Sequence, residues 1–90
     1  MAWQLELSTL AQKNLASLDP QVARRVLAFL NERVITLDDP RLIGEALQGS
    51  RLGTLWKYRV GDFRIIADLK DNTLCILVVK IGNRREVYKH

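Results

Sequence analysis

The chain has 90 residues, 48% of them hydrophobic, and a formal net charge of +4. This length is enough for a single small domain, residues 1–90, built around one core. One cysteine, Cys75, excludes a disulfide framework and fits a reducing cytoplasm. The sequence has no long apolar run and no basic leader, so we expect neither a transmembrane helix nor a signal peptide.

Basic residues are concentrated in the second half of the chain. Residues 1–50 contain five Lys and Arg against six Asp and Glu, whereas residues 51–90 contain nine against four. The net charges of the two parts are therefore −1 and +5. A one-sided basic surface of this kind favours a polyanion or an acidic protein as the partner.

Two helices, at about residues 9–18 and 20–36, are predicted after a short first strand at residues 2–7. Ser8, or the threonine that follows it, can cap the first helix. Asp19 caps the second, and the proline after it suits the first helical position because its missing N–H would be unpaired there. Two helices joined so closely form a helical hairpin that can cover one face of a sheet.

A β-hairpin is the clearest element of the sequence. It follows a predicted helical turn at residues 41–47 and a glycine-containing loop. Two alternating runs, residues 55–60 and 63–67, are separated by a Gly-Asp pair, which suits a two-residue primed turn. Such a turn sets the register and places Arg59 opposite Arg64.

The hairpin has one apolar face and one basic face, because side chains alternate along a strand. The apolar face carries Trp56, Tyr58, Val60, Phe63, Ile65 and Ala67, and the basic face carries Lys57, Arg59 and Arg64 with Ile66 beside them. Opposed like charges destabilise a strand pair by up to about 1 kcal/mol, and an anion between the two arginines would reverse that sign. A solvated face that is merely basic is the alternative interpretation.

A third strand is predicted at residues 73–81, after a turn at Asp71-Asn72 and before Gly82-Asn83, and a basic tail follows at residues 84–90. The strand is nearly all apolar, as a central strand should be. The predicted fold is α+β: a small antiparallel sheet of three to four strands with the helical hairpin on one face, in the order β-α-α-β-β-β. The first strand should pair with an edge of the three-stranded meander, and the basic face should stay open.

Few catalytic mechanisms fit these residue types. The chain has one histidine, His90, at its end, so neither a metal site nor a Ser-His-Asp or Cys-His arrangement is expected. The Lys, Arg and Tyr that remain can support phosphodiester chemistry, in which arginines hold the phosphate and a tyrosine or lysine moves the proton. Tyr88 stands among such cations, Arg84, Arg85 and Lys89. A basic sheet that binds an acidic peptide would use the same residues.

The segment from Leu47 to Tyr88 resembles the RelE/ParE superfamily of bacterial toxins. The hairpin WKYRVGDFRI, the preceding ALQGSRLGTLWKYR and the strand ending VVKIGNRREVY carry the resemblance, and the N-terminal strand and helices fit it as well. The resemblance implies a toxin of a type II toxin–antitoxin pair in the bacterial cytoplasm. On the RelE-like branch it implies cleavage of mRNA in the ribosomal A site, by metal-free attack of the 2′-OH on the adjacent phosphate.

The resemblance also assigns roles to individual residues. It implies no cofactor and no metal, and its partners are an acidic antitoxin and the 70S ribosome with mRNA. Arg59 stands where RelE has a lysine, so any lysine role in proton transfer passes to Lys57. The implied catalytic residues are Lys57, Arg64, Arg84 and Tyr88, and the implied RNA-binding residues are Arg59, Arg85 and Lys89.

Two other functions stay open. ParE-like members share the scaffold but inhibit DNA gyrase and have no nuclease site. A domain that binds RNA without cleaving it is the third possible function. The combination of basic residues and Tyr88 favours the RelE-like branch, and the position of His90 after Tyr88 fits poorly with YoeB-like members, which use a Glu and a His near the C-terminus.

Overall fold

A computed structural model gives the fold of residues 3–47 and 55–83. The two α-helices are α1 (Thr9–Ser17) and α2 (Pro20–Phe29), and the strands are β1 (Gln4–Leu7), β2 (Glu45–Ala46), β3 (Leu55–Val60), β4 (Phe63–Lys70) and β5 (Cys75–Asn83). The strands form one sheet in the order β1-β5-β4-β3-β2. None of the helices in these two ranges is long and apolar enough to cross a membrane.

The predicted α+β class is confirmed, but the sheet differs from the prediction in two respects. It is mixed rather than antiparallel, because β1 pairs with β5 in parallel while the other pairs are antiparallel. It also has five strands rather than three or four. The extra strand, β2, occupies part of the predicted turn at residues 41–47, where helical structure is limited to the 3₁₀ turn Pro40–Leu42.

The register of the hairpin is confirmed residue by residue. Val60 pairs with Phe63 across the turn, and Arg59 pairs with Arg64. Gly61 has φ of +60°, a left-handed conformation that glycine adopts without steric cost. The local sequence therefore determines which side chains share a face of β3 and β4.

Both predicted helix caps are present. The Ser8 hydroxyl accepts the Ala11 N–H at 3.0 Å, and Asp19 Oδ1 accepts the Gln21 N–H at 2.9 Å. The second helix does not stay α-helical to its predicted end. It continues as a π-turn, Leu30–Val34, which the Ile35 N–H closes by donating to the Leu30 carbonyl at 3.1 Å.

Strand β5 begins and ends two residues later than predicted and contains a bulge. It runs through Asn83, so the Gly82-Asn83 pair does not end it. The register against β4 shifts after Ile66, which leaves Val79 as the extra residue of β5. Its carbonyl accepts a hydrogen bond from the Ser8 hydroxyl at 2.7 Å, and beyond it the Ile81 N–H donates to Asn14 Oδ1 at 2.9 Å. Helix α1 and its cap Ser8 thus provide hydrogen-bond partners for the part of the β5 edge that β1 does not reach.

The core lies between the helices and the apolar face of the sheet. Its most buried side chains come from both layers and include Val26, Leu30 and Val34 from the helical layer and Tyr58, Ile65, Ile76 and Val78 from the sheet, all 0% exposed. Three members of the predicted apolar face, Trp56, Val60 and Phe63, are only partly buried. The helices leave the opposite face of the sheet uncovered, as predicted.

Candidate functional site

Two cross-strand rows of residues form the basic end of the open face. In the first row, Lys57 of β3 pairs with Ile66 of β4, which pairs with Lys80 of β5. In the second row, Arg59 pairs with Arg64, which pairs with Gly82. Directly paired residues project from the same face of a sheet, so the rows bring four cations together. The second row ends at Gly82, which adds no side chain to this face.

The two arginines of the second row have no carboxylate partner among the described residues. The guanidinium of Arg64 donates to the backbone carbonyls of Gly61 at 3.2 Å and Phe63 at 3.1 Å. These bonds hold it at the tip of the hairpin, and no carboxylate within residues 3–47 and 55–83 neutralises its charge. Arg59 is exposed. Such a pair suits an anion that lies between the two guanidinium groups, because each has further N–H donors to offer.

Lys57 is held by a residue that the sequence reading missed. Its Nζ lies 3.4 Å from Glu45 Oε2, and the two residues are cross-strand partners on β3 and β2. Nothing in the sequence indicated this pair, because the pattern of residues 41–47 predicts a helical turn rather than a strand. Glu45 places a carboxylate, which accepts hydrogen bonds, beside the cations of the two rows.

Lys80 is the second residue that the sequence reading missed. It lies on β5 in the same row as Lys57, with Ile66 between them. Ile66 is only 6% exposed although it lies on the open face. The bulge at Val79 reverses the alternation of β5, and without it Lys80 would project toward the helices. An apolar run gives no reliable indication of a bulge, so the sequence did not predict that Lys80 lies on the open face.

Acidic residues mark the limit of the basic end. The next row across the sheet contains Asp68 of β4, Leu77 of β5 and Glu6 of β1. Glu6 accepts a hydrogen bond from the Cys75 thiol at 3.2 Å. Burial and this hydrogen bond raise the pKa of Cys75, so the thiol stays protonated and is a poor nucleophile. The basic rows therefore end at this acidic row, and the next cation of the open face, Lys70 of β4, lies beyond it in the row of Cys75.

The structure shows that one of the two tyrosines is unavailable for chemistry. Tyr58 is 0% exposed, and its hydroxyl donates to the Pro40 carbonyl at 2.8 Å. Burial raises the pKa of Tyr58 far above its ordinary value, which keeps the phenol neutral. Proton transfer by a tyrosine would therefore fall to Tyr88, which lies outside the described residues together with Arg84, Arg85 and Lys89.

Arg41 has a structural role and is not part of the basic end. Its guanidinium donates to both carboxylate oxygens of Asp71, at 3.1 and 2.7 Å, and to Asp39 at 3.3 Å. These bonds fasten the segment before β2 to the turn between β4 and β5. Within residues 3–47 and 55–83, no group of three or more His, Cys, Asp or Glu side chains could hold a metal ion.

Comparison with known proteins decides the family. The family profile described as "ParE toxin of type II toxin-antitoxin system, parDE" matches residues 5–88, which is nearly the whole chain. The chain belongs to this family. It is thus a toxin of a type II toxin–antitoxin system and a member of the RelE/ParE superfamily, as its sequence suggested. No curated protein matches it.

Solved structures of RelE toxins share the fold of this ParE-family chain. The RelBE2 toxin–antitoxin complex from Mycobacterium tuberculosis matches with a TM-score of 0.81 and 19% identity, over 96% of this chain and 95% of that one. A mutant of Escherichia coli RelE in the free state matches with a TM-score of 0.79 and 24% identity, over 98% and 92%. The RelE–RelB complex from Pyrococcus horikoshii matches with a TM-score of 0.69 and 26% identity, over 96% and 99%.

Proposed function

We propose that this toxin is a ribosome-dependent endoribonuclease that cleaves mRNA in the A site. One observation carries the proposal: Arg59 and Arg64 face each other on an open sheet, with Lys57 in the adjacent row and no carboxylate between the arginines. A purely structural sheet gains nothing from two opposed guanidinium groups, since like charges in this position repel. A phosphodiester between them turns the repulsion into two sets of charge-assisted hydrogen bonds.

The proposed chemistry uses the nucleophile that RNA itself carries. The ribose 2′-oxygen attacks the adjacent phosphorus, its proton passes to a base, and the 5′-oxygen leaves with a proton from an acid. The products are a 2′,3′-cyclic phosphate and a 5′-hydroxyl, so neither an attacking water nor a metal ion is required. Arg64 and Arg84 would stabilise the charge that builds on the phosphate. Lys57 and Tyr88 would move the protons, and Arg59, Arg85 and Lys89 would bind the RNA.

We propose an acidic antitoxin as the cellular partner. The RelE structures from M. tuberculosis and P. horikoshii are complexes with antitoxins, and the fold of this chain resembles the toxin in both. The net charge of +4 favours an acidic partner. Association between the two should weaken as salt is added, because ions screen charge steering over a Debye length of about 10 Å at 0.1 M.

Inhibition of DNA gyrase is the competing function. The profile that matches the chain is named for ParE toxins, and this is the observation that favours it. ParE-like members do not need a phosphate-binding pair of arginines on the open face, so the basic rows favour the nuclease.

Controlled expression in a bacterial host separates the two functions. The nuclease predicts an immediate loss of protein synthesis with no DNA-damage response, and Arg64→Ala should relieve the growth arrest. A DNA-damage response with protein synthesis intact would instead assign the toxin to the gyrase inhibitors. Lys13→Ala is the matched control, because this exposed lysine lies on α1, away from the open face, and should leave toxicity unchanged.

A further inference from the structure

A groove of about 360 Å³ lies at the edge of the sheet, next to the basic rows. It is lined by Phe29 and Arg33 from the end of the helical layer, Ile43 and Glu45 from the segment around β2, and Lys57 and Arg59 from β3. The groove exists because β2 is only two residues long and its pairing stops at Glu45 and Lys57. Beyond that pair, the edge of β3 meets no strand in the described part of the chain.

The groove combines positive charge with an aromatic wall. Arg33 and Arg59 are exposed, and no carboxylate in the described residues forms an ion pair with either of them, whereas Glu45 lies against Lys57 at 3.4 Å. Phe29 is partly buried and packs edge-on against Tyr58, with ring centroids 6.0 Å apart and an angle of 61°. Arginines beside a firmly held aromatic ring provide the two contacts that single-stranded RNA uses, one for the phosphate and one for the base.

The position of Arg33 is fixed by the π-turn. Residues Leu30 and Val34 at the two ends of this turn are both 0% exposed, so the backbone that carries Arg33 is anchored in the core. A π-turn holds one more residue than an α-helical turn, which changes the direction of the side chains within it. Here the widened turn presents Arg33 to the groove.

We propose that this groove is a nucleotide-binding subsite of the toxin, in which Arg33 contacts a phosphate and Phe29 a base next to the scissile bond. The inference rests on the proposed nuclease function. Lys57 and Arg59 line the groove and also belong to the basic rows, so one RNA strand can follow both without a break. The volume lies at the lower end of the range for ligand pockets, about 300–1,000 Å³, which suits one nucleotide rather than a folded partner.

The test is the affinity of the full chain for a fluorescent single-stranded RNA with 2′-O-methyl groups, which cannot be cleaved. Arg33→Ala should weaken binding about tenfold and reduce the slope of log affinity against log salt by roughly 0.7, since one phosphate contact is lost. Phe29→Leu should weaken binding about tenfold and leave the salt slope unchanged, because stacking does not depend on counterions. Thermal melting of each variant verifies that it is folded.

Arg24→Ala is the matched control, since Arg24 is an exposed arginine of α2 that does not line the groove. The proposal requires its affinity to stay within about twofold of the wild type. Equal losses for Arg24→Ala and Arg33→Ala, or no loss for either, would overturn it. Tighter Arg33-dependent binding of an acidic peptide such as polyglutamate than of the RNA would overturn it as well.

A cleavage assay on programmed ribosomes separates failure of the subsite from failure of the nuclease. If the wild type cleaves mRNA and Arg33→Ala cleaves it equally well at limiting toxin, the subsite is wrong and the nuclease stands. If the wild type does not cleave, the nuclease is wrong, and with it the placing of this groove beside a scissile bond. If Arg33→Ala cleaves mRNA more slowly than the wild type while Arg24→Ala cleaves it at the wild-type rate, the result supports both the subsite and the nuclease.

Discussion

Arg59 and Arg64 lie directly opposite each other on β3 and β4, on the face of the sheet that the helices leave open. The repulsion between their charges has a free-energy cost, which the protein retains at the end of the hairpin. The proposed nuclease explains this cost, because the substrate phosphate supplies the missing negative charge.

Removal of a positive charge from the basic rows, at Arg64 or at Lys57, should impair mRNA cleavage more than it lowers the stability of the fold. Arg64→Ala and Lys57→Ala should each lower the rate of mRNA cleavage by about a hundredfold or more, since each group would act on the reacting phosphate or its protons. Both variants should melt near the temperature of the wild type. Lys13→Ala, which removes an exposed lysine of α1, should cleave at the wild-type rate. A fully active Arg64→Ala variant would contradict the assignment.

Removal of the Glu45 carboxylate should strengthen RNA binding. Glu45→Gln removes the carboxylate charge that lies 3.4 Å from the Lys57 Nζ, so the positive potential that attracts phosphate increases at this row. We expect a gain of about two- to tenfold in affinity and a steeper salt dependence, both measured by fluorescence anisotropy. Glu32→Gln is the control, because it removes an exposed carboxylate that does not line the groove. It should change the RNA affinity and its salt dependence less than Glu45→Gln does. Weaker binding by Glu45→Gln would show that the carboxylate helps to position Lys57 for the RNA.

Gly44 is a point at which the segment before β2 passes very close to β3. Its φ is +82°, and a Cβ there would lie 2.6 Å from the Lys57 carbonyl oxygen and 2.7 Å from the Tyr58 ring. Gly44→Ala should therefore lower the free energy of unfolding by about 2–4 kcal/mol through left-handed strain and overpacking. Gly61→Ala is the control, because at φ +60° it is strained but its nearest neighbour is 3.6 Å away. In urea denaturation the Gly44 variant should lose clearly more stability than the Gly61 variant.

The buried phenol of Tyr58 should make the fold sensitive to alkali. Burial raises its pKa above the ordinary value of about 10, so the folded state holds the proton more tightly than the unfolded state does. The associated stability is fully present below about pH 10 and is lost as the pH rises toward the folded pKa. Tyr58→Phe should reduce this loss of stability at alkaline pH. It should also cost about 1–3 kcal/mol at neutral pH, since the Pro40 carbonyl loses its 2.8 Å partner.

The sequence was most informative where structure is local. A two-residue turn determines the hairpin register, so the opposition of Arg59 and Arg64 could be predicted in advance. Capping at Ser8 and Asp19 depends on residues two or three positions away, and both caps were predicted correctly. These features need no knowledge of the rest of the chain.

Features that depend on distant residues could not be predicted. The parallel pairing of β1 with β5 joins residues about 70 positions apart, and no local pattern encodes it. The bulge at Val79 is accompanied by a hydrogen bond from the Ser8 hydroxyl, which lies 71 positions earlier in the chain. The short strand β2, which brings Glu45 to Lys57, has two residues and therefore no detectable period. Lys80 and Glu45, the two site residues that the sequence concealed, both follow from these long-range features.

Mapping of mRNA ends on programmed 70S ribosomes tests the central claim most directly. Purified toxin and its Tyr88→Phe variant are added to ribosomes stalled at a known codon, and the ends are mapped by primer extension. The nuclease predicts cuts confined to the A-site codon with the wild type and a loss of those cuts with the variant. Intact mRNA and unaffected translation with the wild type would contradict the nuclease, and a DNA supercoiling assay should then reveal inhibition of gyrase.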